Sequence, residues 1–144
     1  MEKKEVINLA IERQVLNKNV YILDSVSKDD LPQFYNECDM GSSFVLPIKE
    51  LWANSANKFF DSLASARPIL INYGGWQKEV IINENIGFVL PIEITDNAVR
   101  EFINYSQDKS LIKNQKENAL KKAESSYSID VALKKYIRIL EDII

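Results

Sequence analysis

The sequence predicts an α/β fold, a short parallel sheet with helices on both faces. Strand-length apolar runs alternate with helix-length amphipathic segments, the pattern of parallel strands joined by crossover helices. The run Pro68-Ile69-Leu70-Ile71-Asn72 is short, apolar and bounded by turn residues, as a buried strand is. The chain has 144 residues, enough for one domain, and a domain of that size buries about 68–70% of its unfolded surface. No repeat, low-complexity tract or Pro/Gly/Ser linker divides it, so residues 1–144 are expected to form a single domain.

Taken in order, Ile7, Ala10, Ile11 and Val15 recur at helical spacing and predict a first helix over 3–16. Val20-Tyr21-Ile22-Leu23 is a β-branched run of strand length. Ser27 with Asp30 three residues on reads as a capping box for a short helix through Leu31 and Phe34. Residues 40–46 are the next strand, stopped by Pro47. Ser55 is expected to cap a helix to about Ser65, with Phe59, Phe60 and Leu63 facing the core. After strand 68–72, Gly74-Gly75 turns the chain into a helix around 76–83, and residues 87–90 form a last strand ended by Pro91. Helices near 96–106, 109–124 and 129–143 complete the chain, the last with Ile129, Leu133, Tyr136, Ile137, Leu140 and Ile144 on one stripe. Four strands are few for such a sheet, and the chain opens on a helix. The expectation is a piece of a larger unit, starting just after its first strand.

Composition removes several functions. Lys plus Arg number 18 and Asp plus Glu 21, a net charge of −3 shared evenly by the two halves, so nucleic acid is not an expected partner. There is no histidine, which excludes Ser-His-Asp and Cys-His catalysis and imidazole zinc sites. Cys38 alone permits no internal disulfide; it is expected to be a small buried residue before the second strand. No apolar run reaches the ~18–20 residues of a membrane span. The expected location is the cytoplasm.

In open parallel sheets, ligands sit beyond the carboxyl ends of the strands. Three loops lie there: residues 24–27, 47–57 and 72–75. None carries GxGxxG or a Walker A sequence, so neither a dinucleotide site nor a P-loop is supported. The loop 47–57 is rich in polar groups, including Asn54 and Ser55, and leads into a helix start, where free N–H groups favour an anion. Asn57 and Asp61, four apart, share a face, with Lys58 beside them. Two readings are open: phosphate at the helix start with a hydroxyl-bearing sugar one turn in, or a plain cap followed by a solvated Lys58–Asp61 pair. Trp52 and Trp76 likewise divide between stacking on a ligand and packing. Lys109, Lys113 and Lys116 share a helical face that either leans toward anionic lipid or is merely solvated.

The run Asn57-Lys58-Phe59-Phe60-Asp61-Ser62-Leu63-Ala64-Ser65-Ala66-Arg67-Pro68-Ile69-Leu70 resembles the segment "P-N-K-x-F-E-x-L-A-A-G-x-P-V". That segment belongs to the nucleotide-binding, C-terminal domain of retaining GT-B glycosyltransferases of the group 1 (family 4) type. Gly74-Gly75-Trp76-Gln77-Lys78-Glu79-Val80-Ile81 is similar to the family's glycine turn and "E-L-I" helix, and Gly87-Phe88-Val89 to its "G-x-x-V". Residues 20–40 are similar to "V-x-F-L-G-x-V-x-x-x-x-L-P-x-x-Y-x-x-A-D-V", and the likeness runs from about residue 3 to the end.

The resemblance implies a three-layer α/β/α Rossmann-like domain, the C-terminal half of a GT-B enzyme. Asp61 takes the place of the glutamate that holds the ribose hydroxyls, Asn57 and Lys58 open the helix facing the diphosphate, and Ser25 and Val26 fall where backbone meets the base. A carboxylate accepts from vicinal hydroxyls, while helix N–H groups and an ammonium stabilise phosphates. The implied enzyme moves a sugar, expected to be UDP-linked, onto a bacterial surface polysaccharide or its lipid-linked precursor, with retention and without a metal or other cofactor. Its partners would be the nucleotide-sugar donor, an N-terminal acceptor-binding domain and the inner face of the membrane. The chain alone is expected to be inactive and, with apolar surface uncovered, weakly self-associating. The alternative is a stand-alone nucleotide or nucleotide-sugar binding module. Departures are plain: Asp61 is one methylene shorter than glutamate, Ala53 stands where many members carry a first glutamate with Glu50 out of register, and Ser65-Ala66 replaces the Ala-Gly after the helix.

Overall fold

The computed structural model describes residues 3–143. In chain order the elements are α1 (Lys3–Glu12), α2 (Leu31–Asn36), β1 (Gly41–Ser43), a 3₁₀ turn (Lys49–Ala53), α3 (Asn57–Ala64), β2 (Ile69–Ile71), α4 (Trp76–Glu84), β3 (Gly87–Val89), α5 (Asp96–Gln107), α6 (Lys109–Lys122), a π-helical turn (Ala123–Tyr127) and α7 (Ile129–Glu141). The chain divides into two compact units, one up to Leu31 and the other from Pro32 onward. No helix among the described residues is long and apolar enough to cross a membrane.

In the first unit, α1 buries Ala10 and is followed by left-handed residues at Gln14 and Asn17. Residues 20–23 are not a strand of the sheet, contrary to the expectation; Leu16 and Val20 make an isolated bridge, and Tyr21 and Leu23 are exposed. An apolar β-branched run becomes a strand only beside a backbone edge that can pair with it, and this unit supplies a helix instead. Ser27 makes local bonds to Asp30, its Oγ accepting from Asp30 N at 3.2 Å and donating to Asp30 Oδ2 at 2.7 Å, but they close the turn before α2 and do not cap it, since the helix starts at Leu31.

The second unit holds the sheet, mixed α/β in class with three parallel strands in the order β1-β2-β3. The three residues of β2 are all buried, as a central parallel strand requires. Strand side chains alternate between faces. Ile69 and Ile71 join Phe59, Leu63, Tyr73, Ile81, Ile86, Ala119 and Ala123 in one core, so α3, α4 and α6 share a face of β2. Leu70 and Phe88, level in the register, point the other way, and the Phe88 ring meets Phe102 and Tyr105 of α5 at 5.6 and 4.6 Å. Asn72 extends the β1–β2 pairing with its side chain, Oδ1 accepting from Val45 N at 2.9 Å and Nδ2 donating to Val45 O at 3.0 Å.

The passage from α3 into β2 is tightly determined. Arg67 N donates to Ser62 O at 2.8 Å and Ala66 N to Leu63 O at 3.0 Å, the paired bonds of a Schellman turn. Ala66 occupies its left-handed position at φ 53°, where glycine is the usual residue. Ser62, fully buried, lies over Gly41: a Cβ added there would come within 2.3 Å of Ser62 Oγ. The Arg67 guanidinium donates to Tyr35 O and Asn36 O at 2.7 and 2.9 Å and so closes the carboxyl end of α2.

Two further expectations are corrected. Ser55 does not cap α3; the cap position is Ala56, which has no side-chain acceptor, because the helix starts at Asn57. Cys38 is exposed, since it follows the end of α2 in a turn, its N–H on Tyr35 O, with Asp39 and Met40 between it and the strand. The C-terminal helices match their predicted spans closely, capped by Thr95, Asp108 and Ser128. α7 buries none of its residues, and Ile129, Leu133, Tyr136, Ile137 and Leu140 are exposed along one stripe. Ile144, the final residue expected there, lies outside the described residues.

A buried glutamine ties the last helices to the sheet. Gln115 Oε1 accepts from the Tyr105 hydroxyl, while its Nε2 donates to Asn85 Oδ1 at 2.8 Å and Gly87 O at 3.1 Å. Burial drives the Tyr105 phenol well above its ordinary range, and burial also raises Tyr35, Tyr73 and Tyr127.

Two outcomes follow from these contacts. Ala66→Gly removes the left-handed strain of a β-carbon, worth roughly 1–2 kcal/mol, against a smaller loss through the more flexible unfolded chain. Urea unfolding should show a net gain of about 0.5–1 kcal/mol; a loss would mean that the methyl group packs. Because the folded protein holds Tyr105 neutral, its contribution is complete below the unfolded phenol's pKa of about 10 and is lost as pH rises above it. Stability measured from about pH 8 to 11 should fall more steeply in the parent than in Tyr105→Phe, by up to about 1.4 kcal/mol per pH unit. Equal slopes would show that Tyr105 ionises as freely when folded.

Candidate functional site

The carboxyl ends of β1 and β2 open onto residues 44–56 and 72–75, and both loops end in helix starts. Trp52 closes over the second loop, and its indole crowds any β-carbon placed on Gly74, at 2.7 Å. Gly75 has φ 79°, and a side chain there would also strike Trp52 O at 2.5 Å, so glycine is required twice over. Beneath the turn lie three buried polar side chains, Ser43, Tyr73 and Gln77. The Tyr73 hydroxyl donates to Gln77 Oε1, and burial raises its pKa while the neighbouring Ser43 hydroxyl pulls it back. Gln77 Nε2 and Trp52 Nε1 are buried without an acceptor in the protein.

The starts of α3 and α4 lack the side-chain caps of the later helices. Thr95, Asp108 and Ser128 each accept a first-turn N–H of α5, α6 or α7, but the cap residues of α3 and α4 are Ala56 and Gly75, with no side-chain hydrogen bond. The free donors of an uncapped first turn, with the positive end of the dipole, are what an anion needs.

The sequence-predicted residues fall in two places. Asn54 and Ser55 are exposed on the loop into α3, Asn57 and Lys58 are exposed in its first turn, and Asp61 is exposed one turn on. Lys58 and Asp61 make no ion pair or hydrogen bond, so the solvated pair allowed by their spacing is not formed. Asp61 lines a cleft of about 330 Å³ with Phe60, Ala64, Leu120, Glu124, Tyr127 and Ser128. Its charge, second to burial, raises the Tyr35 phenol. Ser25 is exposed and Val26 half-buried in the first unit, on the stretch before the Ser27 turn.

Trp76 is a packing residue, stacked on Phe60 at 6.1 Å and edge-on to Phe59 at 5.4 Å. Trp52 likewise packs against the core. Sequence reasoning missed Glu124, Tyr127 and Ser128, which the π-helical turn brings beside Asp61, and the buried Tyr73–Gln77 pair. The pair had a legible signal, a polar residue at i+4 from a tyrosine across a glycine turn; the cleft wall had none. Among the described residues no cluster of three or more His, Cys, Asp or Glu is placed to hold a metal ion. Glu50 is exposed in the 3₁₀ turn that Ala53 ends.

Compared with known proteins, the chain matches no family model and no curated protein.

Proposed function

We propose that this chain is the donor-nucleotide-binding half of a retaining GT-B glycosyltransferase, a three-layer α/β/α Rossmann-like domain taking a UDP-linked sugar. The observation that carries the reading is the start of α3, uncapped at the carboxyl edge of a parallel sheet, with an unpaired lysine in its first turn and an unpaired carboxylate one turn further in. Those groups suit a nucleoside diphosphate in one orientation. The N–H groups of Asn57 and Lys58 and the Lys58 ammonium take the phosphates, while Asp61 accepts from two ribose hydroxyls. When the glycosidic bond breaks, negative charge grows on the departing diphosphate, and the same donors stabilise it more strongly in the transition state than in the ground state. The acceptor comes from an N-terminal partner domain, and the acceptor chemistry places the whole enzyme at the inner face of the membrane.

Calorimetry with UDP in the presence of EDTA should show weak, saturable binding that GDP and ADP do not equal. No binding of any nucleotide at millimolar concentration would end the proposal. Asp61→Ala should weaken UDP by about 1.5–3 kcal/mol, the worth of hydrogen bonds to a charged group. Its unfolding midpoint should barely move, since the side chain is exposed and unpaired; unchanged affinity would remove Asp61 from the site.

A further inference from the structure

A second cleft, about 550 Å³, lies at the opposite, amino end of the strands, where Met40 leads into β1 and α5 passes into α6. Its volume falls within the range of small-molecule pockets, about 300–1,000 Å³. Met40, Phe102 and Ile112, all half-buried, supply apolar wall, and Lys109, Lys113 and Lys116 come from successive turns of α6. Against these three lysines the lining holds one carboxylate, Asp39, so the cleft carries a net charge of +2. Asp39 is engaged by Lys116 at 2.9 Å. Asp108, which precedes Lys109, is occupied by Leu111 N at the start of α6, and Glu117, four residues after Lys113, makes no ion pair with it. Lys109 and Lys113 therefore have no anionic partner in the protein. The remaining polar group, Ser106, donates to Ile103 O at 2.8 Å and keeps its lone pairs free.

We infer that this cleft binds an amphiphilic anion, a single phosphate or carboxylate head on an unbranched apolar tail. The head would sit between the Lys109 and Lys113 ammonium groups, each a flexible point charge with three donors. The tail would lie on Met40, Phe102 and Ile112. Neither part suffices alone: two exposed lysines hold a small anion weakly in water, and an apolar wall of three residues holds a short chain weakly. The inference uses no residue of the nucleotide site and does not depend on it.

The test is titration of the full chain with dodecyl phosphate below its micelle concentration, read by calorimetry and by the NMR signal of the Met40 methyl group. Dodecyl phosphate should bind at least tenfold tighter than either inorganic phosphate or neutral dodecyl maltoside, and should shift the Met40 signal. The double variant Lys109→Gln, Lys113→Gln should lose at least tenfold, while Asp61→Ala leaves the affinity unchanged. Equal binding of inorganic phosphate, equal binding of the maltoside, a silent Met40 or an indifferent double variant would each overturn the assignment. Co-sedimentation with phosphatidic acid vesicles separates the two sources of such a head. Lysine-dependent capture assigns it to membrane lipid, and binding of the monomer without capture assigns it to a free amphiphile.

Discussion

Between Ser62 and Pro68 the chain leaves a helix, reverses and enters the central strand, and four elements are fastened at that joint. Ser62 receives the Arg67 N–H on its carbonyl and gives its own hydroxyl to Arg67 O at 3.0 Å. Gly41 N donates to Pro68 O at 3.0 Å, which starts the pairing of β1 with β2. Arg67 holds the end of α2. Because Ser62 and Gly41 are in closer contact than any β-carbon allows, α3 can approach β1 only where the strand has glycine. Moving any one of these residues moves the helix, and with it the groups on its first two turns.

That dependence links the core to the candidate chemistry. α3 is short, eight residues, so Phe59, Ser62 and Leu63 on its buried side fix the direction of Asn57, Lys58 and Asp61 on its open side. The first turns of α3 and α4 lack side-chain caps. A side-chain cap is worth typically ~1 kcal/mol, and α5, α6 and α7 each have one, whereas α3 and α4 do not. The uncapped starts of α3 and α4, beside the capped start of α5 that follows β3, are a local departure of the kind that accompanies function. The buried donors of Trp52 and Gln77, unpaired at the same turn, are a second departure of that kind.

At the other end of the strands the arrangement is the reverse. Gln115 satisfies the start of β3 and the Tyr105 hydroxyl at once, so the amino edge is closed by a complete polar network. The aromatic rings of Phe88, Phe102 and Tyr105 pack α5 beside it. Rigid walls and charges left over on their outer rim give the second cleft its character.

Much of the local structure was legible in the residues themselves. Apolar length and flanking turn residues identified β2, helical spacing placed α7, and the Ser27–Asp30 spacing gave its two hydrogen bonds. These succeed because the deciding forces act within a few residues: caps, periodic apolar spacing and glycine turns. The same local rules misjudged residues 20–23, Ser55 and Cys38. A β-branched run needs a pairing edge, a cap needs the helix to start at the next residue, and burial needs something to cover the side chain. Tertiary structure alone supplies those conditions. It also put an alanine in the left-handed position after α3, because the Ser62–Pro68 joint outweighs the strain of one β-carbon. Asp61 stood out as a carboxylate one turn into a helix, but its neighbours Glu124, Tyr127 and Ser128 are more than sixty residues away in the chain. Only the packing of α6 and its π-helical turn on α3 brings them together, and no spacing in a sequence records a contact made across the core.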